Sequence, residues 1–515
     1  MSRRSRKNIK LVLKQLIIVS ITILLIFIQG SLIYLFFIAK TIKWFALMIS
    51  IFGVICIIDM FDNSLCSTYK VMWTVIIFLM PFSGSLLYLL FGNQRSFPKR
   101  RSKKVNDYLK LQKPNNDVYN DLKAINPIAY KYASIVNNNR GLSIYDYTDI
   151  TFYNNIEKKF YDSLDDIKKA EKYIFIEMFI ISSGRMLDEL YEVLKTKGEE
   201  GIEIKILYDD IGSKLKLKKG FGKRFLEIPN LKICKYAPLG VIINPATNFR
   251  DHRKLIIVDG KIGYVGGDNI ADEYANWIEK YGKWRDNAIR LEGDAVYSLL
   301  SMFSETWYMS SREMLNVNKY KYISSDNVNN KNYSNLVMPY CDGPTGQSNT
   351  GYEIYSTMIM NATDYLYIST PYFIIDKEFI DKLILAKKSN VDVRIMLPGI
   401  PDKKLVFMLT QAHYGRLLKN GIKIYEYTPG FNHAKNFICD DLYSICGTIN
   451  IDYRSLYLHF ENAVMVINKD ITTEMKEDYL KTIEECKEIS YDEWKNRPIY
   501  KKIVQFILRI FSPLL

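Results

Sequence analysis

The chain has 515 residues, 48% of them hydrophobic, and a formal net charge of +14. That length holds a membrane segment and two domain-sized units, and the charge calls for an anionic partner, leaving nucleic acid, a membrane surface and a phosphorylated substrate open. The seven cysteines contain no Cys-x-x-Cys pair and are odd in number, which argues against a disulfide framework or a zinc site and fits a reducing, cytoplasm-facing compartment.

Three apolar runs come first. Residues 16–39 are 24 residues without a charge, long enough to span a bilayer. Residues 44–58 number 15, short for a span unless Asp59 to Phe61 are included. Residues 71–92 number 22 but carry Pro81 and Gly84 near the middle. No small-residue cleavage site follows the first run, so a signal peptide is a poor reading. Basic clusters without acids flank the set, from Arg3 to Lys14 and from Arg95 to Lys104. Both belong on the cytoplasmic side, which needs an even number of crossings. One run is then re-entrant or interfacial, the short second and the proline-broken third being the candidates. The expected organisation is a membrane anchor over 1–94 and a basic linker over 95–150, followed by α/β units over 151–323 and 336–499.

The two units repeat one pattern. Residues 173–180 read as a buried strand, 185–198 as a helix and 202–208 as a second strand. Residues 365–373, 377–388 and 391–397 do the same, with a Ser/Asn-rich seam at 324–335 between the halves. Such an internal duplication produces two packed α/β units. Residues 500–515 read as a basic, strongly apolar helix suited to an anionic interface; a core-packing terminal helix is the alternative.

Each unit carries one histidine motif. From His252, Lys254 lies at +2, Asp259 at +7, Gly266 at +14 and Asn269 at +17; from His433, Lys435, Asp440, Gly447 and Asn450 lie at the same offsets. In a strand, residues two apart face one side, so each His–Lys pair can point at a single ligand. Gly266-Gly267 and Gly447-Thr448 allow close backbone approach. A His, a Lys and an Asn make half of a phosphate site, and two halves make a whole one. A lysine beside each histidine is electrostatically wrong for a metal, so neither metal nor cofactor is expected.

These paired motifs resemble the phospholipase D superfamily, and other segments resemble its bacterial cardiolipin synthase branch. The segments are Trp73, Pro81, Gly84 and Tyr88; Asp209-Asp210-x-Gly212-Ser213; Trp284-Arg285-Asp286; Thr370-Pro371-Tyr372-Phe373; Asn450-x-Asp452-x-Arg454-Ser455; and the final Ser512-Pro513-Leu514-Leu515. The resemblance covers residues 44–515. It departs at Asn287-Ala288, where the family has Thr-His, and at His459, where it has Asn. It implies two phospholipase D-like α/β sandwich units related by a pseudo-two-fold, preceded by transmembrane helices.

It also implies phosphatidyl transfer from one phosphatidylglycerol to another through a phosphatidyl-histidine, releasing glycerol. The partners are phosphatidylglycerol and anionic lipids, not nucleic acid, in a multi-pass protein of a bacterial cell membrane with its catalytic domain in the cytoplasm. Head-group hydrolysis or exchange by a phospholipase D, and a membrane-bound nuclease, are the alternatives. The expected catalytic set is His252, Lys254, Asp259, His433, Lys435 and Asp440, with His252 as nucleophile and His433 as acid. Asn269 and Asn450 are expected to bind phosphate. Within the set, Asp259 and Asp440 read best as strand-end anchors. Glu461, at +28 from His433, matches the superfamily's orienting carboxylate. That offset in the first copy is Lys280, so Asp286 stands in for it. His413 and His459 read as structural or rim residues.

Overall fold

The computed structural model describes residues 42–61, 67–92, 103–107, 117–218, 220–238, 248–322, 332–346 and 348–512, with Phe27, Gly30 and Ser31. Nearly all of the first apolar run, the basic cluster before it, Arg95 to Arg101, most of the expected seam and the last three residues lie outside these. The chain divides into two units, Met1–Ser96 and Phe97–Leu515.

In the first unit, α1 (Ile42–Phe61) is one unbroken helix of 20 residues, about 30 Å long. It outruns the expected run of 15 residues because Ile42 and Lys43 precede it and Asp59, Met60 and Phe61 continue it; the Tyr88 hydroxyl donates to the Asp59 carboxylate at 3.2 Å. The third run is two short helices, α2 (Ser67–Leu79) and α3 (Pro81–Leu87). Proline opens α3, where its missing N–H goes unused, and the chain doubles back. A Cβ on Gly84 would lie 2.6 Å from the Ile76 carbonyl oxygen. The Trp73 and Tyr88 rings meet edge-on at 5.7 Å. The Trp–Pro–Gly–Tyr pattern is thus the inside of one tight helical turn-back.

The second unit is built twice from one strand plan. The first half holds β1 (Thr148–Tyr153), β2 (Tyr173–Met178), β3 (Glu203–Asp209), β4 (Leu231–Tyr236), β5 (Lys254–Val258), β6 (Ile262–Gly266), β7 (Lys283–Arg285) and β8 (Ala288–Gly293). The second holds β9 (Leu336–Asp342), β10 (Tyr365–Ser369), β11 (Phe373–Ile374), β12 (Asp392–Pro398), β13 (Lys423–Tyr427), β14 (Gly430–Asn432), β15 (Asn436–Cys439), β16 (Tyr443–Gly447), β17 (Ile451–Asp452), β18 (Glu461–Ile467) and β19 (Cys486–Glu488). One sheet runs β1-β8-β6-β5-β2-β3-β4, and the other β9-β18-β16-β15-β10-β12-β13 with β19 added at its edge. In both, a parallel centre (β2–β3–β4; β10–β12–β13) adjoins an antiparallel flank. The expected strand over 365–373 is split, because Pro371 cannot donate to a ladder; β11 re-pairs with β17 instead.

The pleat decides which residues meet which layer. Tyr173 and Phe175 of β2 and Leu255 and Ile257 of β5 join a core cluster that includes the second half. Ile174, Ile176, Ile256 and Val258 face a separate cluster with α4 (Arg185–Glu199). Helix α5 (Val296–Ser311) is buried almost all round, its large apolar residues interleaved with small serines and with Glu305. The second half adds α6 (Lys377–Lys388), α7 (Lys404–Lys419) and, at the end, α8 (Ile499–Ile510). Arg253, fully buried, ties the halves together. It donates to Glu305 Oε2 at 2.7 Å and to the carbonyls of Met302 at 2.8 Å and Asp342 at 3.2 Å. Stripping its charge would leave Glu305 under-compensated, a loss of about 3–5 kcal/mol for a buried pair.

The motif aspartates lie far from the histidines. Asp259 and Asp440, counted with the catalytic set above but read best as strand-end anchors, do lie at the opposite ends of their strands from the histidines, Asp259 about 16 Å along β5 from Lys254. Both have positive φ (53° and 51°), as do Gly260 and Asp441 after them, which makes the tight mirror-type hairpin turn between β5 and β6 and between β15 and β16. Asp259 accepts from the backbone N–H groups of Glu171, Lys172 and Tyr173 at 2.7–2.8 Å. Asp440 accepts from those of Thr363, Asp364 and Tyr365 at 2.8–3.0 Å. Each carboxylate therefore starts the neighbouring central strand. Replacing Asp440 by Ala should cost about 2 kcal/mol of stability, seen as a thermal midpoint lowered by several degrees, while the folded fraction keeps its turnover rate.

Candidate active site

Both histidines sit just before their strands rather than within them, where the backbone crosses to the other half. His252 N–H donates to the Phe460 carbonyl at 2.8 Å, and Phe460 N–H to the Arg250 carbonyl at 2.8 Å. In the other half β14 pairs in parallel with β7, and His433 N–H donates to the Arg285 carbonyl at 2.7 Å. In each case the next residue of the partner segment is a carboxylate. Glu461 Oε2 lies 2.9 Å from His252 Nδ1, and Asp286 Oδ2 lies 2.6 Å from His433 Nδ1. The orienting residues expected from sequence are present, but the offsets within each copy assigned them to the wrong histidines. Each imidazole is held by the carboxylate of the opposite half.

A carboxylate at Nδ1 makes that nitrogen the N–H donor and leaves Nε2 with its lone pair available. Lys254 Nζ donates to the carbonyl of His252 at 2.6 Å, and Lys435 Nζ donates to that of His433. Rings close the walls: Phe179 stands 4.8 Å from His252, with Trp284 at 5.4 Å and Tyr274 at 5.5 Å from His433. Gly267 is required here, since a Cβ would lie 2.1 Å from Asp286 Oδ1. Its counterpart Thr448 instead donates its hydroxyl to Glu461 Oε2. The Asp209-Asp210-x-Gly212-Ser213 segment supports the first half-site from below. Asp209 pairs with Arg250 at 2.6 Å and accepts from Asp251 N–H at 3.1 Å, ahead of His252. The bare Gly212 fits under the Phe179 carbonyl. Arg285 fastens β7 to the second half through Asn432 at 3.1 Å and Thr482 at 3.1 Å.

Burial, then the charges of Lys254 and Lys435, hold both imidazoles well below their ordinary pKa, so both are neutral at rest. Burial likewise pulls Lys254 down to about 7, with the charge of Lys435 adding to the fall, and Lys435 down to about 8 against the pull of Asp286 and Glu461. Burial pushes Asp286 up to about 6 against the pull of Lys435.

Both asparagines are buried and hold neighbouring groups. Asn269 Oδ1 accepts from Ile180 N–H at 2.8 Å and Nδ2 donates to the Tyr274 hydroxyl at 2.6 Å; Asn450 Nδ2 donates to Ser455 Oγ at 3.1 Å. Asn269 thereby positions Tyr274, whose ring lies 5.5 Å from that of His433. His413 is half-buried beside Phe373. His459 is closer to the chemistry than the sequence suggested. Its ring is 5.9 Å from that of His252 and its Nδ1 3.8 Å from Glu461 Oε1, with Arg454 Nε donating to its Nε2 at 3.3 Å. Its departure from the family's Asn, two residues before Glu461, was the signal available in the sequence.

Comparison with known proteins bears on this arrangement. The family described as "Cardiolipin synthase, PLD-like domain" matches residues 164–307 and 355–483, more than half of the chain, and "Phospholipase_D-nuclease N-terminal" matches residues 45–93. The chain belongs to the cardiolipin synthase family of phospholipase D-like proteins. It is 33% identical over 454 residues to the cardiolipin synthase of Clostridium perfringens, covering 86% of this chain and 93% of that one. It is also 33% identical over 456 residues to that of Oceanobacillus iheyensis, with the same coverage. Among solved structures, the phosphatidylserine synthase of Haemophilus influenzae shares the fold, with a TM-score of 0.56 at 18% identity over 75% of this chain and 97% of that one.

The crossed pairs predict the pH dependence. Asp286, with its raised pKa, is anionic only above about 6; Lys254 and Lys435, lowered, stay cationic only below about 7 and about 8. The pH profile of kcat/KM should fall on both sides of that window. Asp286→Asn should lose the acid limb and about 10²–10⁴-fold in rate, and Glu461→Gln should lose a comparable factor. A variant within twofold of the parent would contradict the crossed arrangement.

Proposed function

We propose that this protein is a cardiolipin synthase that joins two phosphatidylglycerol molecules and releases glycerol. The observation that carries the reading is the pair of imidazoles, each fixed by a carboxylate of the other half, beside two buried ammonium groups. In a family of this kind, that is machinery for phosphodiester transfer through a covalent intermediate.

His252 Nε2 attacks phosphorus, and the bond from phosphorus to the glycerol oxygen breaks. His433, protonated once the phosphodiester anion offsets the lysine charges, hands that oxygen its proton. The products are phosphatidyl-His252 and glycerol. Neutral His433 then takes the proton of a hydroxyl on the second phosphatidylglycerol. That oxygen attacks phosphorus, the N–P bond breaks and cardiolipin leaves. Lys254 and Lys435 neutralise the charge that builds on the non-bridging oxygens. The ring walls keep bulk water from competing as acceptor.

The membrane reading rests on α1, whose stretch Trp44–Phe61 is long and apolar enough to cross a bilayer. The doubled-back α2–α3 pair is too short in each arm to do so. The even number of crossings that both basic clusters call for needs one more apolar run besides α1, and residues 16–39, of sufficient length by composition, lie almost wholly outside the described residues. Helix α8 presents Ile499, Ile503 and Phe506 to solvent beside Lys501, Lys502 and Arg509, a composition suited to an anionic lipid surface.

Full-length protein given pure phosphatidylglycerol should yield cardiolipin and glycerol in equal amounts by mass spectrometry; phosphatidic acid without cardiolipin would make it a phospholipase D instead. His252→Ala and His433→Ala should each lower turnover by at least about 10³-fold. A phosphodiester with a nitrophenol leaving group separates their roles. His433→Ala should still release one equivalent in a burst, because that leaving group needs no proton, and His252→Ala should release none.

A further inference from the structure

Joining two phosphatidylglycerols brings two negative phosphodiesters together. The phosphorus under attack has Lys254 and Lys435. The acceptor lipid carries its own phosphodiester, one three-carbon glycerol away from the attacking hydroxyl, and that second charge needs a place too.

The loops that follow β3 and β12 occupy the same position in the two repeats, at the carboxyl ends of the central parallel strands where ligands of α/β sheets gather. Each contributes a lysine: Lys216, 30% exposed at its side chain, and Lys403, which is exposed. Lys216 Nζ lies 3.8 Å from Glu273 Oε1, and Lys280 Nζ lies 2.9 Å from the same oxygen. Two ammonium groups therefore share one carboxylate. Glu273 directly precedes Tyr274, whose ring rests on His433. Lys403 Nζ stands over the Tyr372 ring at 5.2 Å. The acid next to it, Asp402, accepts the Tyr372 hydroxyl at 2.7 Å, and among the described residues Lys403 has no ion-pair partner. These charges are near enough to be felt at the centre: Lys403 disfavours protonation of His252, His433 and Lys216, and Lys216 disfavours that of His433.

We infer that Lys216 and Lys403, with Lys280 behind them, form a second anion subsite at the rim that holds the phosphodiester of the acceptor lipid. The inference rests on the synthase reading above. The inner lysines serve the reacting phosphorus and the rim lysines the group one glycerol further out. The rim then favours a charged lipid alcohol over water or glycerol as acceptor without touching the reacting atoms.

The test uses full-length protein in neutral detergent micelles containing phosphatidylglycerol and labelled glycerol. Two products are read together: cardiolipin, made with an anionic acceptor, and labelled phosphatidylglycerol, made by return of the phosphatidyl group to a neutral one. Lys403→Ala and Lys216→Ala should each lower the ratio of cardiolipin to labelled phosphatidylglycerol about tenfold, and the double variant further. Lys403→Arg should restore most of the ratio. An unchanged ratio overturns the subsite. So does a parallel fall of both products, which would mean that the lysines only gather lipid. A parent protein that makes labelled phosphatidylglycerol but no cardiolipin overturns the synthase reading itself and is distinguishable from either result.

Discussion

Each reactive imidazole is oriented by a carboxylate from the opposite repeat, and most of the catalytic unit is arranged around that exchange. A histidine beside a lysine in a buried place would otherwise rotate freely and point either nitrogen anywhere. The short parallel pairings, β7 with β14 and Asp251 with Phe460, put Asp286 and Glu461 one residue past the backbone contact. The backbone hydrogen bond and the side-chain bond together set ring position and tautomer. Neither repeat can assemble a half-site alone, so the fold obliges the two halves to stay docked. Arg253 and Arg285, both buried, do much of that fastening.

The same arrangement governs the electrostatics. Two lysines and two histidines in one buried place repel one another, and burial alone disfavours every charge there. The two carboxylates offset the lysines, leaving the imidazoles neutral and the ammonium groups easily deprotonated. An incoming phosphodiester adds a negative charge to this balanced set, and both lysines and one histidine are then stabilised in their protonated forms. Anionic groups are therefore favoured as ligands. Farther out, the lysines at the rim extend this preference along the path by which a second lipid would enter.

Much of this architecture is legible in the amino-acid sequence. Two identical frames of His, Lys, Asp, Gly and Asn announce a duplication, because chance rarely repeats five positions at fixed offsets. The stretches at 173–180, 202–208, 365–373 and 391–397 mark the central strands to within a few residues, the first and third as apolar runs with few polar breaks and the second and fourth by alternation of apolar and charged residues. Asp259 and Asp440 are the instructive exception within the motif. Their regular spacing reflects a hairpin turn and the start of a neighbouring strand, and spacing alone does not distinguish a turn residue from a catalytic one.

What the sequence determined by itself was therefore local: the β-α-β succession within each repeat, the His–Lys half-sites, the helix-breaking Pro81 and the glycines that admit close approach. These follow from periodicity and from backbone sterics, which act over a few residues. Only the tertiary structure decided which carboxylate serves which histidine, because Glu461 and His252 are 209 positions apart and meet through a crossing that no offset within one copy records. It likewise decided that Asn269 grips Tyr274, that His459 stands beside His252 and that the loops after β3 and β12 both carry lysines to the rim. Such contacts depend on how two sheets dock, and docking is set by the summed burial of many side chains rather than by any short stretch of chain.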